Sequence, residues 1–140
     1  IITVTVENLR RNWQGEEHLP ANFKLKKIEN FHDSYYLWNF VESEKYAHCS
    51  ISTRNGNEFH LHGLGAYKKS EGYGTMLMQF IIAKAYRENI KKISLQVFRD
   101  NYIAMKLYNK FNFVEETPVH KRVNHVATLT LTLKEWKTQN

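Results

Sequence analysis

Lys69-Ser70-Glu71-Gly72-Tyr73-Gly74 stands where the chain stops reading as strands and starts reading as helix. Two glycines separated by one residue let the backbone approach a bulky anion, and a helix starting there aims its unpaired N–H groups and positive dipole end at it. Leu77, Phe80, Ile81 and Ala85, with Met78 and Ile82 beside them, predict that helix from Gly74 to Asn89, apolar nearly all round in its middle and therefore covered. A phosphate-bearing ligand is the first inference.

Working upstream, Phe23–Ile28, Tyr35–Val41, Tyr46–Thr53 and Glu58–Ala66 read as successive strands, and Asn55-Gly56 supplies the φ > 0 pair of a tight hairpin turn. Residues 1–6 alternate well enough for a short strand, and 7–14 suit a helix before Gly15. Downstream, Ile93, Leu95 and Val97 alternate with Ser94, Gln96 and Phe98 as a strand. Strands 58–66 and 92–98 are thus expected to be parallel neighbours joined by the helix between them. Asp100 or Asn101 can cap a second helix to about Phe111, because Ala104, Leu107, Tyr108 and Phe111 fall at helical spacing. Phe113–Glu116 can open another strand. Ala127, Leu129, Leu131 and Leu133 alternate with Val126, Thr128, Thr130 and Thr132 in the clearest strand of all, before a polar tail at Lys134–Asn140.

The 140 residues fit a single domain, 1–140, with 42% hydrophobic and 24% charged residues and no apolar run of membrane-spanning length. Cys49 is the single cysteine, which excludes an internal disulfide and, in a strand, reads as a small hydrophobe. The sequence starts at Ile1 without a charged-then-apolar leader, so a cytoplasmic location is the expectation. The net charge of +6 is scattered along the chain and fits solubility as well as anionic ligands.

The order of elements and two segments resemble the GNAT N-acetyltransferases. The acetyl-CoA loop of that family reads Arg or Gln, two residues, Gly, one residue, Gly or Ala; Lys69-Ser70-Glu71-Gly72-Tyr73-Gly74 matches with Lys first. Asn101-x-x-Ala104-x-x-Leu107-Tyr108-x-Lys110-x-Asn112-Phe113 is similar to the family's later signature, with Asn112 replacing a glycine. Asn best tolerates the left-handed conformation among non-glycine residues. The resemblance covers 58–113 and implies an α/β (α+β) fold: a mixed, mostly antiparallel central sheet with splayed parallel strands 58–66 and 92–98 and flanking helices.

It also implies acetyl-CoA as cosubstrate, with its pyrophosphate on Lys69, Ser70, Glu71, Gly72, Tyr73, Gly74 and Thr75. The pantetheine arm would lie against Leu64, Ala66 and Asn101, with the Leu64 N–H facing the thioester oxygen. Tyr108 would act as acid toward the leaving sulfur, although its stripe equally suits a core aromatic.

An amine acceptor must lose a proton, which costs a lysine-like ammonium about 4–5 kcal/mol at neutral pH. Glu58, His60 and His62 alternate along one strand and should share a face with Leu64. Counting back from the glycine loop puts Glu58 at the family's catalytic glutamate, so Glu58 is the first candidate base, with His62 or His60 as substitutes. Two histidines without a third ligand nearby give no metal site.

The function expected is transfer of an acetyl group to a primary amine of a small molecule or a protein lysine or N-terminus, by direct attack. A non-catalytic CoA-binding or interaction module of the same fold is the alternative. Nucleic acid is a lesser candidate partner, through Lys68-Lys69, Lys91-Lys92 and Lys121-Arg122 with Trp13, Tyr35, Tyr36 and Trp38 as stacking groups. No membrane partner is expected, and the chain should be a monomer or a homodimer.

Overall fold

The computed structural model describes residue 19 and residues 21–28, 32–67, 72–116 and 125–133. The expected strand at 1–6, the helix at 7–14, the loop residues Lys69, Ser70 and Glu71 and the tail Lys134–Asn140 lie outside them. The described residues form strands β1 (Phe23–Ile28), β2 (Asp33–Asn39), β3 (Glu44–Arg54) and β4 (Glu58–Ala66), then helix α1 (Tyr73–Arg87). Strand β5 (Lys92–Phe98), helix α2 (Tyr102–Lys110) and strands β6 (Val114–Glu115) and β7 (Val126–Thr132) follow.

Seven strands make one sheet in the order β1-β2-β3-β4-β5-β7-β6. Every pairing is antiparallel except β4 with β5. Local chemistry sets the element ends. Asn55 and Gly56 have φ of 55° and 72°, as the hairpin turn between β3 and β4 requires. Strand β2 starts and ends two residues before the predicted Tyr35–Val41, because the Asn39 side-chain oxygen accepts from the N–H groups of Val41 and Glu42, both at 3.0 Å, and turns the chain. Asn101 Oδ1 accepts from the Ala104 N–H at 3.2 Å and caps α2. Asn112, with φ of 69°, takes the left-handed conformation just past that helix.

The parallel pairing is short, and this shapes the molecule. It joins Glu58–Leu61 to Lys92–Leu95 and stops there, although both strands continue. Beyond it β4 stays with β3 as far as Ala66 opposite Ala47, while β5 stays with β7 as far as Phe98 opposite Val126. The sheet therefore forks, as the splayed pair 58–66 and 92–98 was expected to.

A β-bulge lies at the fork. Ser50 is opposite Gly63 and Ile51 opposite Leu61, so His62 is an extra residue on β4. One added residue reverses the side on which later side chains project. Leu64 is opposite the buried Cys49 and so shares the face of Leu61, not that of Glu58 and His60. The expectation that all four share a face is corrected: simple alternation cannot register an inserted residue.

Both helices serve the Phe59 and Leu61 face. Leu77, Met78, Ile81 and Ile82 of α1 are fully buried with Phe59, Ile93 and Leu95 in one core. At about 25 cal/mol per Å² of apolar surface removed from water, this layer is the main stabilising contribution. Cys49 is 1% exposed, and burial pushes its thiol up to about 12, so it is a packing residue. The opposite face carries Ser34, Ser50, Ser52, His60 and Ser94. No helix of the described residues is long and apolar enough to cross a membrane.

Candidate active site

Among the described residues, the Met76 N–H donates to the Gly72 carbonyl at 3.1 Å at the start of α1. The first-turn N–H groups of a helix point out of its N-terminal end. Gly72 has φ of 82°, a conformation that a side chain would strain, and no acidic residue stands in the first turn. A Cβ on Gly74 would meet Leu107 Cδ2 at 3.6 Å, so α2 packs directly beside this helix end.

That packing delivers a cation. The Lys110 ammonium donates to Thr75 Oγ1 at 3.4 Å, one turn into α1. A positive charge beside a helix N-terminus is repelled by the dipole unless an anion joins them. The pair therefore supports an anionic ligand independently of the glycines. Lys110 stands in the signature read from the sequence, which assigns it no role in the site; its i+3 spacing from Leu107 was the available signal. The Tyr73 ring packs on Tyr46 and Phe23, with centroids 4.7 and 5.6 Å away.

Of the expected cofactor contacts, Leu64 and Ala66 lie on the forked half of β4, packed on the edge of the core. Thr75 and Gly74 lie in the first turn of α1. Asn101 is exposed, with its side-chain oxygen used by the cap. A Cβ on Gly65 would stand 2.7 Å from His48 Nε2, so glycine there lets the His48 ring lie across β4.

On the polar face, at the closed end of the fork, lies a connected set of side chains. Ser94 donates its hydroxyl proton to Glu58 Oε2 at 2.7 Å, and His60 Nδ1 is 2.9 Å from the same hydroxyl oxygen. Lys92 Nζ is 3.4 Å from Glu58 Oε1. The parallel register explains the grouping, since Glu58 is level with Lys92 and His60 with Ser94. Burial pushes the Glu58 carboxyl up, but hydrogen bonds from Ser94 and Lys92 and the charges of Lys92 and Arg54 outweigh it, and the net shift is downward. Burial, Arg54 and His62 hold His60 below the usual histidine range against the opposing pull of Glu58. His62 is lowered by burial, His32 and Arg54; its Nε2 is 2.7 Å from Ser52 Oγ, and its ring stacks on His32 at 3.9 Å. The sequence pointed to Glu58, His60 and His62, but not to Ser94 or Lys92, because strand register is not written in either strand alone.

Tyr108 is 6% exposed in the core, its ring 5.6 Å from that of Phe113. Burial raises its phenol, and the hydroxyl has no hydrogen-bond partner among the described residues. A buried hydroxyl left unpaired costs roughly 1–3 kcal/mol, which a ligand atom would relieve. Among the nucleic-acid candidates, Tyr35 packs on Phe80, while Tyr36 and Trp38 carry Lys45 and Lys26 over their rings. Lys68, Lys69, Lys121, Arg122 and Trp13 lie outside the described residues. No cluster of three or more His, Cys, Asp or Glu suited to a metal occurs among the described residues.

The described geometry has counterparts among solved structures. A GNAT family acetyltransferase from Elizabethkingia anophelis with acetyl-CoA bound is 12% identical, matches 81% of this chain and 100% of its own, and has a TM-score of 0.66. The N-acetyltransferase PseH of Campylobacter jejuni is 18% identical over 76% of this chain and 71% of its own, with a TM-score of 0.62. The spermidine/spermine N-acetyltransferase SpeG of Vibrio cholerae is 16% identical over 74% of this chain and 66% of its own, with a TM-score of 0.59. At these identities the likeness establishes the fold. No curated protein matches in sequence. The family model for the acetyltransferase (GNAT) family matches residues 4–113, most of the chain. With that match, the forked sheet and the glycine-started helix beside it, this chain belongs to the GNAT acetyltransferase family.

Proposed function

We propose that this protein is an N-acetyltransferase that uses acetyl-CoA to acetylate a primary amine on a small molecule or a protein. The observation that carries the reading is the fork: β4 and β5 part after Leu61 and Leu95, and helix α1 begins at Tyr73, shortly after β4 ends. Acetyl-CoA supplies an acyl group activated as a thioester. The residues present fit such a ligand. The N-terminal turn of α1, with its positive dipole end and Lys110 beside Thr75, suits a diphosphate; the forked half of β4 offers main-chain groups to a chain of amides.

In this reading the Leu64 N–H stabilises charge on the thioester oxygen as it develops. Tyr108 supplies a hydrogen bond to the leaving sulfur. Burial raises the phenol, so it serves better as a hydrogen-bond donor than as a full proton donor. The acceptor's proton goes to the polar set of Glu58, His60 and His62. That a structural neighbour is a spermidine/spermine N-acetyltransferase supports an amine acceptor here.

The test is release of free thiol from acetyl-CoA across a panel of simple amines, polyamines and lysine peptides. Amine-dependent release supports the enzyme. Tight acetyl-CoA binding with no release across the panel would instead identify a binding module of the same fold.

A further inference from the structure

The group made by Glu58, Ser94 and His60 has only one self-consistent arrangement of protons. A serine hydroxyl has a single proton, and a carboxylate can only accept. Ser94 gives its proton to Glu58 Oε2 at 2.7 Å, so toward His60 its oxygen is an acceptor, and the Nδ1 atom 2.9 Å away must carry hydrogen. In a neutral imidazole the other nitrogen then holds the lone pair. We propose that His60 is the base that receives the acceptor's proton, at Nε2, and that Ser94 and Glu58 are positioning residues that fix its ring and tautomer. This rests on the acetyltransferase reading above.

The other two candidates are engaged by neighbours, Glu58 at both oxygens and His62 at Nε2. Both Glu58 oxygens are engaged, Oε2 by Ser94 and Oε1 by Lys92 at 3.4 Å. His62 has its Nε2 at 2.7 Å from Ser52 Oγ and its ring stacked on His32. His60 Nε2 has no hydrogen-bond partner among the described residues.

The proton balance is simple. The acceptor ammonium gives one proton to Nε2 and becomes a neutral amine, and His60 becomes an imidazolium whose Nδ1–H still points at Ser94. The Glu58 carboxylate, one hydroxyl away, offsets the new charge. His60 returns the proton to solvent after the product leaves. The groups around the ring are Glu58 and His62 on β4, Arg54 on β3, His32 ahead of β2 and Ser94 on β5. Burial, Arg54 and His62 oppose the imidazolium and Glu58 favours it, and the net shift is downward, which favours the neutral ring at neutral pH.

Long-range ¹H–¹⁵N correlation of the histidine rings in the full chain, without any acetyl-CoA, tests the arrangement directly. His60 should show a protonated Nδ1 and a bare Nε2, Ser94→Ala should turn it to a mixture of tautomers, and Ser94→Thr should keep the original form. In turnover, His60→Gln should lower kcat at least a hundredfold with acetyl-CoA affinity unchanged. Ser94→Ala should lower kcat about tenfold and shift the acid limb of its pH profile. A His60 that carries its proton on Nε2, or a tautomer indifferent to Ser94→Ala, would overturn the proposal. Wild-type turnover matched by His60→Gln would overturn it while leaving the acetyltransferase reading intact; a wild type inert toward every amine would overturn both.

Discussion

Lys110, on the last turn of α2, places its ammonium 3.4 Å from the Thr75 hydroxyl in the first turn of α1. Two positive features thus meet at one point: a side-chain cation and the dipole end of a 15-residue helix. The α1 end repels the ammonium while the C-terminal end of α2, whose last turn carries it, attracts it, so the two largely offset in the free protein and an anion bound there adds a net attraction. Lys110→Met is expected to weaken acetyl-CoA binding roughly tenfold, about 1.4 kcal/mol, while leaving the stability of the free protein within about 0.5 kcal/mol of wild type. Calorimetry and thermal unfolding of the same variant check both, and unchanged affinity would show that Lys110 is only a structural contact.

Tyr108 combines deep burial with an unpartnered hydroxyl among the described residues. Removing only that oxygen should spare the packing on Phe113. Tyr108→Phe is expected to raise the stability of the free protein by about 1–3 kcal/mol, since it removes the unpaired hydroxyl, to leave acetyl-CoA affinity nearly unchanged, and to cut kcat at least tenfold. Steady-state kinetics decide, and an unaltered kcat would mean that the ring packs and does nothing more.

Glu58 links pH to stability. Its carboxyl is held below the ordinary glutamate range in the folded chain, so folding favours the ionised form. The stabilisation is fully present above the unfolded-state value and is lost as pH falls through the lower, folded-state value. Glu58→Gln should therefore cost about 1–2 kcal/mol at neutral pH, since it removes the Lys92 ion pair and weakens the bond from Ser94, and the gap to wild type should close in acid. Urea unfolding at several pH values measures it; a gap independent of pH would show that the charge is unimportant.

Gly72 tests the glycine turn. Its φ of 82° already excludes most side chains, and an acid at that point would face the helix end where a diphosphate is expected. Gly72→Glu should abolish detectable acetyl-CoA binding. Retained affinity would remove the anion site from this helix.

How much of this was legible in the chain depends on the range of the interaction. Strand β4 was read with its observed ends from Glu58 to Ala66, and α2 with a cap at Asp100 or Asn101, of which the structure uses Asn101, because alternation, helical spacing and capping are local properties of the chain. The core role of Cys49 and the left-handed Asn112 were likewise local. What stayed hidden is set by pairing between distant segments. Ser94 joins Glu58 to His60 only because β5 lies parallel to β4 in one register, and Lys110 meets Thr75 only because two helices pack. The bulge at His62 is the instructive failure: one extra residue moved Leu64 to the other face, and nothing in the spacing of Glu58, His60 and His62 announces it.

The central claim is that the forked half of β4 and the first turn of α1 together hold acetyl-CoA. Titrating acetyl-CoA into the ¹⁵N-labelled chain and following backbone amide shifts tests it most directly. The amides of Gly63 to Ala66 and of Tyr73 to Thr75 should move in step along one binding curve. No shifts at all, or shifts confined to other strands, would contradict the claim.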